Sequence, residues 1–200
     1  MNAVKFNEPY LTGNEETYIK DVFERKQFYG NGYYTQRCQV LISEKISVEN
    51  VLLTDSCTSA LEISALLLRE WNKEQEIILP SYTFSSTAAA FARAGFKIIF
   101  AEIDPQTMMI DIEDAKNKIT AQTVAIVVVH YGGFGANAIL FKELCNDNSI
   151  YLIEDAAQAF GCVEGNHYLG TIGDLGCYSF HETKNLHAGL SGTLVINNDK

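Results

Sequence analysis

From Val51 onward the chain alternates short apolar, β-branched runs with longer amphipathic stretches. The apolar runs fall at 51–54, 76–80, 97–103, 123–130, 150–155 and 177–180, with another strand-like run at 193–197. Between them, helical patterns cover 58–71, 85–94, 111–119 and 137–146. Strands that are apolar on both faces and separated by helices predict a mostly parallel sheet covered on both sides, a three-layer α/β/α fold. The N-terminal segment, about 1–48, reads differently. Thr12-Gly13-Asn14-Glu15 has capping-box spacing and opens a helix to about Lys26. A second helix is predicted over 36–45, and the Gly- and Tyr-rich stretch FYGNGYYTQR between the two is a candidate to line a site.

Bulk composition narrows the function classes. A chain of 200 residues with 47% hydrophobic content supports one sizeable core, and 20% charged residues fit a globular protein. The net charge of −10 leaves no basic stripe for a nucleic-acid partner, and scattered Lys and Arg argue against an anionic membrane surface. MNAVKFNEPY lacks the apolar core of a signal peptide, and no apolar run is long enough to span a bilayer. Five cysteines without close pairing fit a reducing cytoplasm. These observations predict a cytoplasmic protein with no nucleic-acid or membrane partner.

Three stretches carry candidate chemistry. In TDSCTSALE a strand ends, small hydroxyl residues follow and a helix begins. Free N–H groups there, with the Thr58 and Ser59 hydroxyls, suit a phosphate, although simple capping by Ser56 or Thr58 explains the same residues. In LIEDAAQAFG a buried strand ends on two acids, and a helical turn would bring Asp155 and Gln158 to one ligand. Asp155 is suited to hold a proton on a heterocyclic nitrogen, or merely to cap a turn. In CYSFHETKN, Lys184 follows a strand bearing Ser179. It is either an ordinary solvated lysine or an amine activated in a pocket.

Two other signals compete. Gly133-Phe134-Gly135-Ala136-Asn137-Ala138 is a formal G-x-G-x-x-A after a strand and before a helix, with Glu154 and Asp155 near the ribose position. An NAD-binding Rossmann oxidoreductase is therefore a second enzyme class to test. Cys177 and His181 have C-x3-H spacing, but no second pair completes a tetrahedral set, so no metal is expected.

Taken in order, SCTSALE, LPSYTFSSTAAAF, DAAQAFG and LGTIGDLGCYSFHETKN resemble the DegT/DnrJ/StrS family of nucleotide-sugar aminotransferases, from Phe6 to Lys200. The SFHETKN stretch is most similar to family members that make dTDP-4-amino-4,6-dideoxygalactose. The resemblance implies a fold-type I large domain and pyridoxal 5′-phosphate (PLP) as cofactor. At matching positions it implies that Lys184 carries PLP and shuttles the proton, and that Asp155 pairs with the ring nitrogen. It further implies Gln158 near the phenolic oxygen, Phe84 stacked on the ring, Thr58, Ser59 and Ser179 on the phosphate, and His181 toward substrate. The reaction implied moves an amino group from L-glutamate to a dTDP-4-keto-6-deoxyhexose, for cell-surface polysaccharide such as lipopolysaccharide, in a homodimer. Family members also carry a C-terminal small domain, and against that pattern the chain is expected to be a C-terminally truncated large domain with the small domain absent. The alternative expectation is an inactive or scaffold-like remnant of such an enzyme.

Overall fold

A computed structural model describes Lys5 and residues 7–197, so expectations touching 1–4, 6 and 198–200 lie outside the described residues. Seven strands form the central sheet: β1 (Asn50–Thr54), β2 (Glu76–Pro80), β3 (Lys97–Ala101), β4 (Thr123–Val129), β5 (Tyr151–Asp155), β8 (Leu175–Ser179) and β9 (Gly192–Ile196). Their spatial order is β1-β9-β8-β5-β4-β2-β3. All neighbours from β8 to β3 are parallel, whereas β9 runs antiparallel to both β1 and β8. The predicted mostly parallel sheet is therefore present, with one reversed strand.

Helices α3 (Cys57–Leu68) and α4 (Ser85–Arg93) cover one face, and α5 (Ile112–Asn117) and α6 (Ala138–Asn148) lie along the other. Alternate residues of β5 divide between them: Ile153 packs into the α3–α4 layer and Leu152 into the α6 layer. Every residue of β2 and β8 is buried, as expected for strands covered on both faces. A third cluster seats α2 (Tyr33–Ile46) through Ile42 and Ile46 against Val51, Tyr178 and Val195.

The structure departs from the sequence expectations mainly at element ends. Helix α2 starts earlier than predicted, α3 stops at Leu68 rather than at position 71, and β3 stops at Ala101. Helix α1 (Glu15–Arg25) begins at Glu15, so Thr12 lies too far upstream to be its cap. The Glu15 carboxylate instead folds back to accept from the Thr12 and Gly13 N–H groups, at 2.7 and 2.9 Å, and from the Thr12 hydroxyl. The backbone N–H of Glu15 itself, followed by those bonds from Thr12 and Gly13, holds its pKa down at about 2. A small hairpin, β6 (Val163–Glu164) and β7 (His167–Tyr168), was not anticipated; its Gly165-Asn166 turn is the signal that marks it.

Because β1, β2, β4, β5 and β8 share one direction, their C-terminal ends meet at one sheet edge. The loops that follow them, at 55–56, 81–84, 130–137, 156–162 and 180–191, converge there. Ligands bind at this edge in open α/β sheets.

Candidate active site

A cavity of about 490 Å3 opens at this edge. Of the side chains singled out in the sequence, Thr58, Phe84, Asp155, Gln158, Ser179, His181 and Lys184 all line it. Ser59 does not: its hydroxyl lies 3.0 Å from that of Ser56, and its N–H donates to Ser56 Oγ at 3.1 Å. Ser56 is thus the cap of α3, which leaves the Cys57 and Thr58 end of the helix facing the cavity. The FYGNGYYTQR loop contributes no residue to the lining of this cavity.

Asp155 forms the floor. It is the last residue of β5 and is buried to 4% exposure. Its Oδ2 accepts from the Thr87 hydroxyl at 2.7 Å and its Oδ1 from the Ala157 N–H at 3.1 Å. Burial raises its pKa, against those two bonds and the nearby Lys184 charge. Gln158 reaches the same cavity through a reverse turn, Ala159 N–H to the Ala156 carbonyl, rather than through the helical turn predicted. Its Oε1 accepts from Gly132 N–H at 2.7 Å, which leaves its amide N–H groups to offer a ligand.

Lys184 sits in the loop after β8, in a turn closed by its own N–H and the His181 carbonyl at 2.9 Å. It is half-buried and close enough to Asp155 and Cys57 for its charge to oppose the rise that burial imposes on both pKa values. His181 has its Nδ1 3.0 Å from the Thr183 hydroxyl, and its N–H donates to Ser179 Oγ at 3.3 Å. Phe84, 74% exposed at the start of α4, is free to meet a ligand face.

Several functional candidates escaped the sequence reading. Gly192 opens β9 and pairs with Thr54 on one side and Ser179 on the other. A Cβ there would meet the Ser56 carbonyl carbon at 2.3 Å and the Cys57 nitrogen at 2.4 Å, so only glycine lets the α3 N-terminus press against the sheet. The pattern Ser-Gly directly before a strand was its only signal. Tyr82 and Tyr131 join hydroxyls at 2.9 Å at the cavity mouth. Thr83 also lines the cavity, with Thr87 buried behind it.

The dinucleotide alternative fails on geometry. The N-terminus of α6, where a pyrophosphate would sit, is already filled by a carboxylate of this chain. Glu164 accepts from Ala138 and Ile139 N–H at 3.3 and 3.2 Å. Its side chain also lies where a Cβ on Gly135 would fall. Among the described residues no cluster of three or more His, Cys, Asp and Glu side chains is arranged to hold a metal, and Cys177 is buried against Ser64. No helix among them is long and apolar enough to cross a membrane.

The chain is similar to known proteins along nearly all of its length. It is 31% identical over 194 residues to a GDP-perosamine synthase of Vibrio cholerae, covering 96% of this chain and 52% of that one. It is 29% identical over 191 residues to a dTDP-4-dehydro-2,3,6-trideoxy-D-glucose 4-aminotransferase of Saccharopolyspora spinosa, covering 94% and 49%. The crystal structure of the aminotransferase TlmJ from Streptoalloteichus hindustanus superposes with a TM-score of 0.91 at 30% identity, over 98% of this chain and 54% of that one. The chain thus spans about half the length of the relatives it matches. Residues 9–200 match the DegT/DnrJ/EryC1/StrS aminotransferase family, and the chain belongs to that family.

Proposed function

We propose that this chain forms the PLP-binding part of a nucleotide-sugar aminotransferase. It would take an amino group from L-glutamate and deliver it to a 4-keto-6-deoxyhexose carried on dTDP, as in the making of dTDP-4-amino-4,6-dideoxygalactose for surface polysaccharide. The observation that carries this reading is the opening of Asp155 and Lys184 onto one cavity whose wall is the α3 N-terminus. That donor set fits the cofactor: an anion for a ring nitrogen, helix N–H groups and hydroxyls for a phosphate, and an amine for an aldehyde. PLP, when bound, supplies the electron sink that makes amino transfer feasible.

The protein side of the chemistry follows from the geometry. Asp155 would hold the ring nitrogen in its protonated form. Lys184 would hold the cofactor through its amine and, once released from it, would carry a proton to and from the substrate carbon. Thr58, Ser179 and the N–H groups of Cys57 and Thr58 would hold the phosphate, while Ser59 fixes the Ser56 cap beside them. Gln158 would donate toward the phenolic oxygen, Phe84 would cover the ring, and His181 would face the sugar. The whole protein is proposed to act as a cytoplasmic homodimer; helix α1, which buries none of its residues and exposes Tyr18, Ile19 and Phe23, leaves an apolar surface for such pairing.

The test uses the purified chain and PLP. Uptake should give a new visible absorption, and borohydride should fix the cofactor on the peptide containing Lys184, as read by mass spectrometry. Lys184→Ala should lose both signals entirely. A wild-type chain that takes up no PLP would overturn the proposal. Uptake with no exchange of the glutamate amine would assign this chain to the remnant reading. Competition between dTDP- and GDP-linked 4-keto sugars then decides the nucleotide.

A further inference from the structure

Behind the cavity wall, two threonines of the SYTFSST stretch connect in series to the site floor. Thr83 Oγ1 donates to Thr87 Oγ1 at 2.8 Å, and Thr87 Oγ1 donates to Asp155 Oδ2 at 2.7 Å. The direction is fixed by chemistry. A charged carboxylate only accepts, so the single proton of Thr87 must point to Asp155, and Thr87 must then receive the proton of Thr83. Thr87 is fully buried on α4, whereas Thr83 stands at the cavity wall. Serial hydroxyls polarise one another and strengthen the last bond of the chain.

We propose that Thr83 and Thr87 form a two-hydroxyl relay that positions the Asp155 carboxylate at the cavity through Oδ2, alongside the Ala157 N–H on Oδ1. Its meaning for catalysis rests on the PLP reading above, but the relay itself is a property of the cofactor-free protein. Both threonines are positioning residues; Asp155 is the group that would touch the cofactor. Burial favours the neutral acid at Asp155, and the Thr87 bond opposes it. The other titratable groups set around this carboxyl are Lys184 from the loop after β8, His130 after β4, Cys57 on α3 and Cys177 on β8.

The test is a carbon NMR titration of the full chain labelled at aspartate carboxyl carbons, with no cofactor present. The Asp155 signal is identified by its loss in Asp155→Asn. Thr87→Val keeps the shape of the side chain and removes the donor. It should raise the titration midpoint by about one pH unit, on the order of tenfold in proton affinity. Thr87→Ser should restore the wild-type midpoint, which a purely packing role for Thr87 would not do. Thr83→Val, at a half-buried site that folding tolerates, should shift the midpoint in the same direction by a smaller amount. An unchanged midpoint in Thr87→Val, or in Thr83→Val, overturns the relay whatever the chain does with PLP. Failure of wild type to take up PLP with these shifts intact would reject the cofactor reading and leave the relay standing.

Discussion

Glu154 and Asp155 are adjacent carboxylates at the end of one strand, and they live in opposite circumstances. Glu154 is fully buried and saturated. Its two oxygens accept from the N–H groups of Gly170, Ile172 and Gly173, and from His130 Nε2 at 2.8 Å. The Ala136 N–H donates to His130 Nδ1, so the ring proton sits on Nε2 and points at Glu154. Asp155, on the other face of β5, has one hydroxyl and one N–H, with the rest of its capacity turned to the cavity. A strand alternates its faces residue by residue, so one step along the chain separates a saturated buried anion from one that lines the cavity. Polar capacity left open at such a burial is where a protein places ligand chemistry.

The comparison breaks hardest at Glu154. Glu154→Gln would turn an amide N–H2 toward at least two of its four donors, leaving them without an acceptor. The expected loss is about 3 kcal/mol of stability or more, measured by urea denaturation. A variant as stable as wild type would show that the anion does not hold the 170–173 loop. In that case the contrast with Asp155 would be one of exposure only.

How much of this was legible beforehand follows the same division. The strand and helix order could be read because parallel, doubly covered strands are continuous apolar runs, and 77–79 and 124–129 carry that pattern without interruption. Asp155 and Lys184 were legible as candidates because each follows a strand end, and the sheet direction gathers strand ends at one edge. The saturation of Glu154 was not legible, since its donors are backbone N–H groups that carry no side-chain signature. The Glu164 carboxylate filling the α6 N-terminus was equally hidden, because it arrives from a hairpin some 25 residues later in the chain. Gly192, Thr83 and Thr87 matter through contacts made across the sheet or along a helix turn, which spacing alone does not reveal.

A smaller effect sharpens the cavity side. Gly192→Ala places a methyl group against the Ser56–Cys57 backbone, which has no flexible end to move aside. Overpacking of this kind should cost about 2 kcal/mol. It should also weaken inorganic phosphate binding, read by isothermal titration, because the α3 N-terminus must retreat. Full stability in Gly192→Ala would mean that the loop slides without penalty, and that the cavity wall is soft where the floor of β5 is not.

The smallest effect has the opposite sign and decides whether the two carboxylates differ as described. Asp155 has its folded-state pKa raised by burial above the ordinary value of 3.8. The folded protein therefore holds that proton more tightly than the unfolded chain does. Stability from the protonated form is present below the ordinary value and is lost as pH rises through the raised one. Asp155→Asn removes this penalty while keeping the side-chain shape. Near pH 4 variant and wild type should melt close together. By neutral pH the cofactor-free variant should melt higher than wild type. PLP uptake should be lost in the same variant, separating what the carboxylate does for the site from what it does to the fold. A wild type that melts above Asp155→Asn at neutral pH would mean that Lys184, His130 and Thr87 compensate the buried charge in full. Asp155 would then be as well satisfied as its neighbour, and the open capacity argued for it would not exist.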